Sequence, residues 1–166
     1  YKIDSWWSEG YYLRSELISK LSEPEALIKA IAIGKEAVKA HPKSIGANRA
    51  NTLINNISQP QMSLKLLHWD TQGKKTITLK YKNWKKAHFR IYPFDPVKFF
   101  LNEKNEVLPN MGKMYEVLRN EKAVSEWSEE LEDLGDYRAH KKHIIPKISK
   151  NGTYIIFVSA TEKFEQ

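Results

Sequence analysis

The chain has 166 residues, 41% of them apolar and 28% charged, and its 27 Lys and Arg against 20 Asp and Glu leave a net charge of +7. This balance excludes a disordered tail and leaves room for one domain, or for one β domain with a helical appendage. No apolar run approaches the about 20 residues a bilayer-spanning helix needs, and the lack of cysteine excludes disulfides, thiolate metal sites and a cysteine nucleophile.

The positive excess is uneven, +2 over residues 1–60 (8 basic, 6 acidic) and +5 over residues 61–166 (19 basic, 14 acidic). A lysine-rich solvated surface accounts for it. Nucleic acid is not expected as a partner, since no helix-turn-helix, zinc finger or aromatic RNA-binding motif accompanies the lysines. The chain opens on Tyr1 and has no basic-then-apolar leader, so it reads as an excised piece or a mature form.

Three helices fit residues 4–57. The first starts near Asp4 or Ser5, with Trp6, Leu13, Leu17 and Leu21 as an apolar stripe and Trp7, Tyr11 and Ile18 beside it. Trp6, Trp7, Tyr11 and Tyr12 are expected in the helix–helix core. For the second, Ser22 is the expected cap, Pro24 sits in the first turn and Glu25 completes a capping box. Its inner face is Ala26, Leu27, Ala30, Ile31, Gly34, Ala37 and Val38, and Pro42 stops it. Small residues followed by Pro42 give it a likeness to the second helix of a tetratricopeptide repeat. The third starts at Ser44 and buries Ile45, Ala47, Ala50, Leu53, Ile54 and Ile57.

Ser58-Gln59-Pro60-Gln61 breaks the helical period, which divides the chain into a helical segment, 1–60, and a β domain, 61–166. Beyond it the period is 2. Met62 to Leu66 alternates; Ile77, Leu79 and Tyr81 oppose Thr76, Thr78 and Lys80; Phe89 and Ile91 oppose His88, Arg90 and Tyr92. Asn83-Trp84-Lys85-Lys86 is expected to join the last two strands as a hairpin. Alternation is lost over 95–123, where Met114, Val117 and Leu118 predict helical turns, and strands return near 123–131, 137–148 and 153–160. Asn151-Gly152 predicts a second hairpin, because a type I′ turn needs positive φ at both central residues. Such strands predict an antiparallel sandwich.

Residues for chemistry are sparse. His140 and His143 lie at odd spacing in a strand pattern, on opposite faces, so they cannot share a metal. His41, His68 and His88 have no ligand spacing. The acidic run Glu129-Glu130-Leu131-Glu132-Asp133, with Asp136, lacks a calcium-loop pattern and reads as a turn complementing Lys141 and Lys142. No nucleophile elbow, phosphate loop or dinucleotide fingerprint occurs, so neither a cofactor nor an enzyme is expected. The candidate contact residues are Tyr92, Phe94, Phe99 and Phe100, dense apolar groups in a loop-like stretch that suit docking against another domain.

Over residues 41–164 a helix runs through a polar linker into a polar-aromatic strand ahead of Ala87-His88-Phe89-Arg90-Ile91-Tyr92. There follow the Trp segment Val124-Ser125-Glu126-Trp127, the acidic-then-aromatic Asp136-Tyr137, and a closing Gly152-Thr153-Tyr154-Ile155. In this series the chain resembles the N-terminal region of bacterial alpha-2-macroglobulin-family proteins of the Bacteroidetes type. The resemblance implies an α+β chain: a helical, tetratricopeptide-like lead-in followed by an antiparallel Ig-like macroglobulin β-sandwich. It implies a non-catalytic scaffold in protease trapping, with other domains of the same polypeptide and target proteases as partners. It also implies a cell-envelope or secreted setting, with no membrane insertion by this segment. The Cys-x-Glu-Gln thioester of many members cannot lie in a chain without Cys. The alternative is a carbohydrate- or protein-binding module that exposes Trp84, Trp127 and Tyr92.

Overall fold

The computed structural model describes residues 5–66, 76–97 and 120–164, together with 114, 116 and 118. The chain is α+β. Among the described residues three helices, α1 (Ser5–Ser19), α2 (Ala26–Ala40) and α3 (Ile45–Ser58), precede six strands: β1 (Gln61–Leu66), β2 (Ile77–Lys82), β3 (Lys86–Pro93), β4 (Ser125–Glu130), β5 (His140–Ile144) and β6 (Tyr154–Ser159). Among the described residues the strands form two three-stranded sheets, ordered β1-β2-β5 and β4-β3-β6. The chain falls into two compact units. One comprises Tyr1–Gln61, Tyr81–Asn83 and Glu132–His140; the other comprises Met62–Lys80, Trp84–Leu131 and Lys141–Gln166.

In the helical unit α2 buries the expected face, with Ala26, Ala30, Ile31, Gly34 and Ala37 inside. Its start differs from the expectation. Ala26 N–H donates to Glu23 O at 3.1 Å, so Pro24 and Glu25 are the central residues of a β-turn, and no side chain caps the helix. Proline at the second position of a turn is as favourable as at a helix's first turn, and here the turn prevails. The start of α3 is as expected: Ser44 Oγ accepts from Ala47 N–H at 3.1 Å and donates to His41 O at 2.8 Å. At its other end Lys82 Nζ donates to Asn56 O at 3.0 Å and Asn83 Nδ2 to Ser58 O at 2.8 Å, satisfying carbonyls that have no intrahelical donor. Burial holds the Lys82 ammonium below the ordinary lysine pKa.

The orientation of α1 is the main correction. Trp6 is 76% exposed and Leu17 67%, and Leu13 and Leu21 also lie outside. The inner face carries Ser8 and Ser15, fully buried, with Trp7, Tyr11 and Ile18 half-buried around them. Ser8 Oγ donates to Ala37 O at 3.2 Å, and Ser15 Oγ to Ala30 O at 2.7 Å. These bonds need the helix backbones close together, and leucines or tryptophan on that face would hold them apart. Ile45 of α3 is likewise outside, at 71% exposure, while Gly46 takes the buried position.

The sheet β4-β3-β6 is antiparallel around β3. Phe89 lies opposite Trp127 and Val158, and Arg90 opposite Glu126 and Phe157. Phe89 and Trp127 stack at 4.8 Å between centroids, and Arg90 Nε meets Glu126 Oε2 at 3.2 Å. Ala87, Phe89 and Ile91 are buried on one face of β3 as the alternation requires. Tyr92 points to the other face and is buried too, in a cluster with Met114 and Leu118 packed by Phe94, Ala123, Ile155 and Phe157. Met114, Glu116 and Leu118 are helical, as expected for this crossover.

Neither expected hairpin forms. β2 and β3 lie in different sheets, as do β5 and β6. Asn83 adopts φ 57° with its amide bonded to the end of α3, so the chain leaves β2 for the second sheet. At Asn151-Gly152 only the glycine has positive φ, at a nearly extended 159°, so the I′ geometry is absent.

The glycines of α1 and α3 give opposite expectations. A Cβ at Gly46 would strike the Glu9 backbone nitrogen and lie 2.5 Å from Ser8 C, whereas at Gly10 nothing stands within 4 Å. Gly46→Ala is expected to destabilise the chain by about 2 kcal/mol or more, and Gly10→Ala to stabilise it by up to about 1 kcal/mol. Urea unfolding of the two variants checks this; equal effects would refute close packing of α1 on α3.

Candidate functional site

Because α1 places its small residues inward, it offers solvent a ridge of Trp6, Leu13 and Leu17. Beside this ridge, two open grooves run along α1 and α3. One, about 470 Å³, is lined by Tyr12, Glu16, Asn48, Thr52 and Asn56 among others; the other, about 430 Å³, by Trp6, Glu9, Lys43 and Ser44. Ile45 and Arg49 line both. An apolar ridge next to grooves lined by both apolar and polar side chains is the candidate site.

Arg49 organises it. Its guanidinium pairs with Glu9 and lies 5.9 Å from the centroid of the Tyr12 ring. Burial first, and then the hydrogen bond to Glu16, raise the Tyr12 phenol above its ordinary pKa. Glu16 is held below the usual carboxylate range, chiefly by Lys20 at 3.0 Å and next by Tyr12. The groups form a chain, Lys20–Glu16–Tyr12–Arg49–Glu9, in which the neutral phenol stands between a carboxylate and a guanidinium, joining α1 to α3. Exposed pairs of this kind contribute little stability each. Their effect is to hold the side chains in place along the grooves. What the arrangement offers is apolar contact along the ridge and hydrogen bonds in the grooves.

The residues singled out from sequence lie elsewhere. Tyr92 is buried and Phe94 packs on the same cluster within the second unit; Phe99, Phe100 and His68 lie outside the described residues. Trp127 is half-buried against Phe89, and Trp84 is half-buried. With Tyr92 only 2% exposed, the three aromatics form no shared exposed platform. His143 Nδ1 lies 3.1 Å from Thr78 Oγ1, and His140 Nε2 lies 2.9 Å from Asp136 Oδ1. Among the described residues no group of three His, Cys, Asp or Glu could hold a metal ion, and no helix is long and apolar enough to cross a membrane. In the acidic run Lys142 Nζ bonds Glu129 Oε2 at 3.1 Å, as the expected charge complement does. Sequence reasoning missed Arg49, Glu9 and Glu16; the signal was the run of small residues at Ser8, Ser15, Gly34 and Gly46, which marks the inner faces and leaves the ridge outside.

Compared with protein-family models, with curated proteins and with solved structures, the chain has no match in any of the three.

The turn at Asp136 yields a pH expectation. Burial pushes its carboxyl up, but the Arg138 N–H at 2.9 Å, the His140 ring and the Arg138 charge outweigh this and leave it below the ordinary value. A lowered carboxyl stabilises the fold above its unfolded pKa of about 3.9 and loses that contribution as pH falls through the folded value. Asp136→Asn is therefore expected to cost about 1–2 kcal/mol at neutral pH and to flatten part of the stability loss below about pH 4. Chemical denaturation at stepped pH measures both; an unchanged acid limb would refute it.

Proposed function

We propose that this chain is a non-catalytic interaction module, the helical lead-in and first domain of an alpha-2-macroglobulin-type envelope protein that inhibits endopeptidases by trapping them. The observation that carries the interaction role is α1 itself: Trp6, Leu13 and Leu17 face outward, while Ser8, Ser15 and Ile18, with Gly34 and Gly46 opposite, make its contacts with α2 and α3. Three large apolar groups that take no part in that packing are free for another surface. In this reading that surface belongs to a neighbouring domain of the same polypeptide, and the protease is the target of the whole. The two sheets would be the layers of an Ig-like sandwich and the helices a repeat-like lead-in. The macroglobulin part rests on the sequence resemblance, supported by helices preceding sheets and by Trp127 stacked on the Phe89 strand.

The triple variant W6Q/L13Q/L17Q separates the two roles. Its own unfolding free energy should stay within about 0.5 kcal/mol of wild type, as for surface changes. In the full polypeptide, mixed with trypsin, trapping should block cleavage of casein and spare a small chromogenic peptide, and the variant should weaken that protection at least about tenfold, which is the effect of about 1.4 kcal/mol. Undiminished protection by a folded variant would remove the ridge from the reading. Failure of the wild type to shield trypsin from casein would remove the trap.

A further inference from the structure

The outward side of the β1-β2-β5 sheet carries charge of one sign. In this sheet β2 is central. Thr78 meets His143 at 3.1 Å and the Tyr81 ring meets His140 at 5.8 Å. Both contacts fit the antiparallel register of β2 and β5 in which Lys80 stands opposite Lys141. Both are exposed. On β1 the exposed set is Ser63 and Lys65, against half-buried Met62 and Leu64. On β2 Ile77, Thr78, Leu79 and Tyr81 are buried and Lys80 is exposed, so the exposed residues of β1 are set on the side of Lys80. Lys65, Lys80 and Lys141 have no acidic partner among the described residues, and no carboxylate occupies a strand position on that side. Lys142, the next residue of β5, points to the opposite side and is paired with Glu129.

Like charges directly opposite across a strand pair are destabilising. An external anion would relieve this repulsion between Lys80 and Lys141, with Lys65 on the neighbouring strand. Among the described residues the charges of this face are lysine ammoniums, its one ring is the His143 imidazole bonded to Thr78, and it carries no arginine. Single-stranded nucleic acid is held by stacking rings in a groove, and duplex bases by bidentate side chains in theirs; neither is present here. A plane of point charges fits a plane of phosphate head groups. We propose that this sheet face adsorbs to an anionic lipid surface, peripherally and without insertion. The inference goes beyond the interaction role above and uses none of the residues of the helical ridge.

The test is co-sedimentation of the chain with vesicles of phosphatidylcholine containing phosphatidylglycerol, with phosphatidylcholine alone and a DNA duplex as the other arms. Each lysine near an anionic surface favours binding about fivefold. Lys80→Gln with Lys141→Gln should therefore lower partition into the anionic vesicles by roughly 25-fold, and added salt should abolish it in the wild type. Lys142→Gln, on the other side of the strand, should leave it unchanged. The double variant removes a like-charge pair and should fold at least as well as the wild type. Ser63→Lys, which adds a charge to the same face, should raise partition about fivefold and tests the face independently. Partition that ignores Lys80 and Lys141, or binding to the duplex that exceeds binding to the vesicles, would overturn the proposal.

Discussion

The contact of Ser8 and Ser15 with the carbonyls of Ala37 and Ala30 controls the rest of the helical unit. A hydroxyl can reach a carbonyl of a neighbouring helix only where the two backbones approach closely, and that approach requires small residues on both sides. Gly46 lies against the α1 backbone at Ser8 and Glu9, and Gly34 faces Ser15 Oγ and Ile54. The carbonyls already serve their own helices, so each serine supplies a second, buried hydrogen bond worth about 1 kcal/mol. The distance it enforces matters more than that energy. Once α1 is docked in this way, Trp6, Leu13 and Leu17 have no interior to enter. The exposed ridge and the arginine-centred grooves beside it both follow from the same two serines.

Residues distant in sequence complete this unit by the same polar means. Lys82 and Asn83 bond the carbonyls at the end of α3, and the Arg138 guanidinium donates to the carbonyls of Leu21 and Glu23 between α1 and α2. Tyr137, at a positive φ of 58°, packs on the Ala30, Ile31 and Ile57 cluster. Short segments bracketing the strands thus provide what the helices cannot make for themselves: donors for helix-end carbonyls and an aromatic cover for the core. The loop before β3 and the acidic segment after β4 are structural parts of the helical unit, which explains why neither forms the simple turn that its composition suggests.

Element type was legible in the sequence, and partnership was not. The period-2 runs place all six strands, and the Ser44 cap and Pro42 stop place α3 and the end of α2. The faces of α1 were not legible from hydrophobicity, because burial there is decided by size and hydrogen bonding: Ser15 is inside while Leu17, two residues later, is outside. Pro24 was ambiguous in principle, being equally suited to a helix start and to a turn. The hairpins failed because a turn signal reports only local backbone preference, whereas sheet membership depends on which strand completes the ladder. Pro93 to His88 of β3 take Tyr154 to Ser159 on one edge and Ser125 to Glu130 on the other, leaving no edge for β2. The candidate site was missed for the same reason as the α1 faces, since Arg49 and Glu9 come together only after the small residues have set the helix spacing.

Two adjacent lysines show how far side-chain identity alone falls short of surface character. Lys141 and Lys142 have the same chemistry, the same strand and nearly the same backbone. Strand geometry sends them to opposite sides. Lys142 reaches the Glu129 carboxylate and the Glu130 carbonyl and is neutralised; Lys141 faces Lys80 across the ladder. The acidic run of β4 therefore quenches one side of the sheet and leaves the other unopposed. The +7 net charge says nothing of this, because a uniform scatter of lysines and a single-signed face have the same sum. What separates them is the side of β5 that each lysine takes, marked by the Thr78–His143 contact on one side and the Lys142–Glu129 pair on the other. A shift of one residue would place Lys142 beside Lys80 and return Lys141 to the acidic side, so the charge pattern of this surface depends on the pairing of two short strands.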